Sequence, residues 1–167
     1  KQSFFNLVLS VINPGDEVLM ADPGYPCNRH FVRLFEGRAT LVPVGAATSY
    51  QLTAALIRRH WTPATRAVLI SSPSNPTGTL VPDADMAEIV RTVHDLGGVL
   101  IVDEIYHGLT YGAPACSALR HSADVFVVNK ADREGADRVV AEIESMLSLP
   151  TQGDFRPDIV KTVATSD

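Results

Sequence analysis

Gly97-Gly98-Val99-Leu100-Ile101-Val102-Asp103 carries the clearest architectural signal in this 167-residue chain. Four consecutive apolar residues of strand length follow a glycine pair and end on an acid. A strand with apolar side chains on both faces reads as a central parallel strand covered by helices on each side. The stretch before it supports that reading. Asp83 is placed to cap a helix whose Met86, Ile89, Val90 and Val93 share one face, and Gly97-Gly98 ends it.

Working outward, the same alternation recurs. Phe4, Phe5, Leu7, Val8, Val11 and Ile12 have helical spacing, and Asn13-Pro14-Gly15 stops that helix. Glu17 to Ala21, Thr40 to Val44 and Ala67 to Ser71 read as strands. Between them, Asn28 to Glu36 reads as a helix with Phe31, Leu34 and Phe35 on one side, and Thr53 caps a shorter helix reaching His60. Val125 to Val128 is a second all-apolar strand. A helix bearing Val139, Val140, Ile143, Met146 and Leu147 follows, and Ile159 to Val163 is a last strand. Strand and helix alternate throughout, which predicts a single α/β domain of three layers, α/β/α, with a mostly parallel sheet and helices on both faces.

Composition narrows the function. Hydrophobic residues make up 46% and charged residues 20%, a globular balance. The net charge of -5 argues against nucleic acid or an anionic membrane as partner. No apolar run approaches the ~20 residues that span a bilayer. Two cysteines, Cys27 and Cys116, without a secretory signal point to a cytoplasmic protein with free thiols. The chain enters an apolar pattern at its first residues without a cap, as though cut there. No spacing of His, Cys, Asp and Glu suggests a metal site. His30 and His107 read as solvent-facing or capping histidines rather than acid-base groups.

In parallel sheets, ligands gather at the carboxyl ends of strands. Three polar clusters follow apolar strands here: Asp22-Pro23-Gly24-Tyr25-Pro26, Ser72-Pro73-Ser74-Asn75-Pro76-Thr77-Gly78 and Asp103-Glu104-Ile105-Tyr106. Taken singly, Asp103 reads as a cap or an ion-pair member, Tyr25 as a partly buried aromatic and Asn75 as a turn former. Together with Asn13-Pro14-Gly15-Asp16-Glu17-Val18, in this order and separation, they resemble the class I and II aminotransferases of pyridoxal-phosphate fold type I across residues 1–122. The resemblance implies the cofactor pyridoxal phosphate and an amino acid or keto acid substrate. It implies that Asp103 pairs with the pyridinium nitrogen, Asn75 and Tyr106 bond the phenolic oxygen, and Tyr25 stacks on the ring. The family also implies a homo-oligomer.

The family's Schiff-base lysine would lie just after the strand Val125 to Asn129. In simple register that position is Arg133, whose guanidinium stays protonated. Lys130 lies three residues earlier. No residue is therefore assigned a catalytic role, and the expectation is a large-domain fragment that does not turn over. The family's glycine-rich phosphate loop and its substrate-binding arginines have no counterpart.

The tail suggests another parentage. Asn129-Lys130-Ala131-Asp132, with Arg133 to Arg138 and Ile159 to Thr165, resembles the GTPase metallochaperones associated with methylmalonyl-CoA mutase. That resemblance implies guanine contacts by Asn129, Lys130 and Asp132. No G-x-x-x-x-G-K-[ST] segment accompanies them. The expectation is a chimera, aminotransferase-like over 1–122 and a GTPase-like strand-helix-strand over 123–167, joined near His121 to Phe126. Guanine-nucleotide binding and a non-catalytic scaffold are the alternative functions.

Overall fold

The computed structural model describes residues 2–112, 116–121, 125–129 and 158–162, together with 137, 140, 141 and 144. Four parallel strands form the main sheet: β1 (Glu17–Asp22), β2 (Arg38–Pro43), β3 (Thr65–Ser71) and β4 (Val99–Asp103), in the spatial order β2-β1-β3-β4. The helices are α1 (Gln2–Val11), α2 (Pro26–Leu34), α3 (Ala54–His60) and α4 (Asp83–Asp95).

Side chains alternate along each strand, so the sheet carries a core on each face. Val18 and Met20 of β1, Ala67 and Leu69 of β3, and Ile101 of β4 pack with Val8 of α1, Ile12 just after it, and Val32 of α2. Leu19, Val42, Val68 and Ile70 face the other way, onto Ile57 of α3 and Met86, Ile89 and Val93 of α4. This is the expected α/β/α arrangement. The helix α2 after β1 and the helix α3 after β2 lie on opposite faces, and β2 and β3 flank β1 on opposite sides. The direction of winding therefore reverses at β1, which opens a crevice at the carboxyl ends of β1 and β3.

Local chemistry explains several boundaries. Leu56 N donates to Thr53 Oγ1 at 3.2 Å, the expected cap of α3. Past α4, Gly97 takes φ +71° and donates to His94 O, while Gly98 N donates to Val93 O, so the last carbonyls are satisfied. Gly98 also lies against Trp61, whose ring occupies the space a Cβ would need.

Four expectations need correction. Val99 to Val102 forms a strand, but only Ile101 of it is buried rather than both faces, and β4 pairs with β3 alone among the described residues. Apolarity on both faces reports what can cover a strand, not how many strands flank it. Asp83 does not cap α4. Pro82 holds the cap position, and the Asp83 carboxylate lies 2.7 Å from His121 Nε2 instead. In α2, Leu34 is exposed, and the buried positions are Val32 and the polar Asn28, with Phe35 packed partly buried against the core. Finally, β5 (Val125–Asn129) pairs in parallel with β6 (Asp158–Thr162) in a two-stranded sheet of its own rather than extending the main sheet. Residues 137, 140, 141 and 144 are helical, where a helix was expected.

Candidate functional site at the carboxyl ends of the strands

β1, β3 and β4 each end in a polar cluster on the same rim of the sheet, because all three run in one direction. After β1, the chain turns through Pro23 and Gly24. A Cβ on Gly24 would stand 2.5 Å from the Ala21 carbonyl oxygen, so the turn excludes any side chain there. Tyr25 follows at the cap position of α2, half-buried.

After β3, residues 72–79 fold into a loop held at several points. Ser74 N donates to Thr79 O at 2.9 Å, Gly78 N donates to Ser74 O at 2.8 Å, and Val81 N donates to Ser72 Oγ at 3.1 Å. The buried Gln51 ties this loop to the strand: its Nε2 donates to Ser71 O at 3.2 Å and to Thr79 O at 2.9 Å. Asn75 is thus presented from a braced loop.

β4 ends beside it. Ser71 and Asp103 are partners in the ladder, and Ser72 N donates to Asp103 O at 3.1 Å. Asp103 Oδ1 accepts from Ile105 N at 3.2 Å, a turn that bends the chain away from the strand. Its Oδ2 has no hydrogen-bond partner among the described residues. Asn75 Nδ2 lies 3.5 Å from Tyr106 Oη, so the loops after β3 and β4 meet through these two side chains. The next acid serves differently. Glu104 accepts from Ser117 Oγ and Ala118 N, both at 2.7 Å, and so fastens the short 3-10 turn Ala118–His121 to the end of β4. At the far side of that turn, His121 and then the Cys116 thiol bond the Asp83 carboxyl and hold it below its ordinary range. Burial, then the neighbouring Asp83, pushes the Cys116 thiol up.

A cavity of about 30 Å³ opens between the ends of β1 and β3, against Tyr25, Asn28, Arg29, Ser74 and Asn75. The structure therefore brings Asn75 and Tyr106 into contact, sets Asp103 on the adjacent strand end and places Tyr25 and Asn75 on one cavity. Asn129 ends β5, in the separate sheet. Lys130, Asp132 and Arg133 lie outside the described residues.

The family described as aminotransferase class I and II matches residues 3–133. The chain belongs to the class I and II aminotransferases, a family whose cofactor is pyridoxal phosphate. The match runs past residue 122, through β5. The valine–pyruvate aminotransferase of Mycobacterium tuberculosis is 39% identical over 128 residues, covering 75% of this chain and 33% of that protein. A probable aspartate/prephenate aminotransferase of Thermus aquaticus is 30% identical, and its alignment covers 99% of this chain and 46% of the relative. Among solved structures, the aspartate aminotransferase of Thermus thermophilus with maleate superposes with a TM-score of 0.67 at 31% identity, over 72% of this chain and 32% of that one. The chain thus spans between a third and a half of these two curated relatives.

Sequence reasoning missed Gln51, Asn28 and the bracing role of Glu104. Gln51 acts on residues 20 and 28 positions away and leaves no local pattern. Asn28 was readable only once α2 began at Pro26, which sets Asn28 about one turn after Tyr25.

Proposed function

We propose that this chain supplies the ring-binding rim of a pyridoxal-phosphate aminotransferase large domain. The contact between Asn75 and Tyr106 beside the strand end that carries Asp103 is the observation that carries the reading. The donor set suits the cofactor. Asp103 offers an unengaged carboxylate oxygen for a pyridinium N–H, and such a pair keeps the nitrogen protonated. Asn75 and Tyr106 offer an amide and a hydroxyl donor for an anionic phenolic oxygen. Tyr25 offers a flat aromatic face. Bound there, pyridoxal phosphate supplies an electron sink for the carbon next to an amino group.

The chain's own residues orient that ring and set its charge. Proton transfer needs a lysine or another group that can lose its proton at working pH. Arg133, at the lysine's position in simple register, stays protonated. We infer that binding survives and turnover does not. Amino or keto acids are the small-molecule partners this reading implies, with a homo-oligomer by family likeness. The unpaired thiols of Cys27 and Cys116 suit a reducing, cytoplasmic setting, and no helix among the described residues is long and apolar enough to cross a membrane. We also propose that residues 123–167 form a strand-helix-strand unit of separate origin; the pairing of β5 with β6 among the described residues supports it, whereas the family match through residue 133 and the alignment of one relative over 99% of the chain weigh against it. A guanine contact through Asn129, Lys130 and Asp132 would belong to that unit.

Titration of the purified chain with pyridoxal phosphate, read by absorbance before and after borohydride reduction, tests the reading. Saturable binding that weakens in Asp103→Ala and Asn75→Ala is expected, with any reduced adduct mapped by mass spectrometry to Lys130 or Lys1. Linear, non-saturable absorbance in the unaltered chain would discard it.

A further inference from the structure

The loop that follows β4 does little to place itself. Ile105, Leu109 and Tyr111 are 75%, 68% and 98% exposed, so apolar packing does not hold it. Its internal bonds, His107 N to Glu104 O and Leu109 N to Tyr106 O, shape the turns but leave their direction open. The bond from Ile105 N to Asp103 Oδ1 links residues two apart and fixes little beyond them. Yet Tyr106, inside the first turn, meets Asn75 of the neighbouring loop. That aim has to come from outside the turn.

Glu104 is the residue that reaches out. Its peptide carbonyl opens the turn, and its carboxylate accepts from Ser117 Oγ and Ala118 N, both at 2.7 Å. These partners are themselves fixed. Ser117 is buried, and its Oγ also accepts from Leu119 N. Ala118 packs into the core with Met86 and Ile89 of α4, and His121, at the end of the same short turn, lies 2.7 Å from the Asp83 carboxylate. A side chain held at both oxygens restrains the backbone of its own residue, and Glu104 is the first residue of the turn that carries Tyr106. The Asn75 to Tyr106 contact is 3.5 Å long, so a small rotation at Glu104 is enough to break it.

We propose that Glu104 is a positioning residue for the ring site. It does not touch the cofactor and acts through Tyr106, holding the phenol hydroxyl beside the Asn75 amide so that both can serve one acceptor oxygen. The identity of that acceptor rests on the ring-binding reading, whereas the coupling of Glu104 to Tyr106 stands without it.

A double-variant cycle on the full chain is the test. Pyridoxal phosphate is titrated into the unaltered chain, Glu104→Ala, Tyr106→Phe and the double variant. Each single change should weaken affinity about tenfold, and the double change about tenfold as well, because one removes what the other has already misplaced. Glu104→Gln, which can accept from Ala118 N and donate to Ser117 Oγ, should restore affinity to within about threefold. A loss of about a hundredfold in the double variant would overturn the proposal, since Glu104 would then act independently of Tyr106. Full affinity in Glu104→Ala would overturn it too. If Glu104→Ala does not fold, Ser117→Ala, which removes one of the two bonds from outside the loop, takes its place in the cycle. The second readout needs no cofactor: a nuclear Overhauser contact between the Asn75 side-chain amide and the Tyr106 ring, present in the unaltered chain and lost in Glu104→Ala while the amide shifts of β1 to β3 hold. Absence of that contact from the unaltered chain, or its persistence in Glu104→Ala, would sink the coupling. Should pyridoxal phosphate fail to bind the unaltered chain, the ring-binding reading falls, and the Overhauser contact alone decides whether Glu104 positions Tyr106.

Discussion

The two ends of the main sheet are built on opposite terms. At the amino end, Glu17 opens β1 with its carboxylate buried, and every acceptor direction is answered. Oε1 accepts from Thr65 Oγ1 at 2.5 Å and Thr62 Oγ1 at 3.1 Å. Oε2 accepts from Thr40 Oγ1 at 2.6 Å and pairs with Arg38 at 2.9 Å. One side chain thereby joins β1, β2, β3 and the turn before β3. At the carboxyl end, among the described residues, the Asp103 carboxylate accepts only from its own turn, the Asn28 carboxamide has no hydrogen-bond partner, and Asn75 reaches Tyr106 at the limit of a hydrogen bond. Polar side chains are thus saturated at the amino end and carry open valences at the carboxyl end, while the one side-chain atom buried without a partner among the described residues, Thr92 Oγ1 of α4, belongs to neither.

The sharpest way to break this contrast is Glu17→Ala. The substitution removes the shared acceptor of three threonine hydroxyls and leaves a cavity among strands. A loss of about 3 kcal/mol is expected, below the upper range for a buried pair because Arg38 is largely in solvent. The midpoint of urea unfolding measures it. A change under about 0.5 kcal/mol, the range of ordinary surface positions, would show that the amino end is no more a stability device than the rim.

Next in size is Gly98→Ala, just before β4 on the same side of the sheet. A methyl group there meets the Trp61 ring, which packs against the core of α3 and α4. Displacing it should cost about 2 kcal/mol, as overpacking does. Near-ultraviolet circular dichroism of this single tryptophan would record the shift. An unchanged signal with unchanged stability would mean that the ring moves aside freely.

The pH dependence of stability follows from the same carboxylate. Burial pushes the Glu17 carboxyl up, but the hydrogen bonds from Thr40, Thr65 and Thr62 and the charge of Arg38 outweigh it, and the net pKa is lowered. Its contribution is therefore full above the ordinary glutamate value of about 4.3 and is lost as pH falls through the lower folded value. Unfolding measured from pH 7 down to pH 3 should show a decline that Glu17→Gln flattens. Parallel curves for the two proteins would assign acid lability elsewhere.

These differences also explain what could be read in advance. Each motif of the rim lies at the end of an apolar strand and is continuous in sequence, so Asp103, Asn75, Tyr106 and Tyr25 stood out before any coordinates. The Glu17 network joins residues 23, 45 and 48 positions away. Only the register of three parallel strands brings them together, and Glu17 in a strand looks like any solvated acid. Asp83 misled because an acid at a helix start has two good partners, the helix N–H groups and a distant histidine, and His121 was invisible from Asp83's local sequence.

The smallest stability effect is expected at Asp103, and it tests the other half of the contrast. Asp103→Asn keeps the acceptor for Ile105 N and nearly the same shape, so stability should change by less than about 0.5 kcal/mol. The amide has no negative charge with which to favour a protonated ring nitrogen, so affinity for pyridoxal phosphate should fall about tenfold. A carboxylate whose loss leaves the fold intact while weakening the ligand is one that the fold holds for something outside itself. If Asp103→Asn instead costs as much stability as Glu17→Ala, the acid at the end of β4 is a structural group, and the division between the two ends of the sheet fails at its most specific residue.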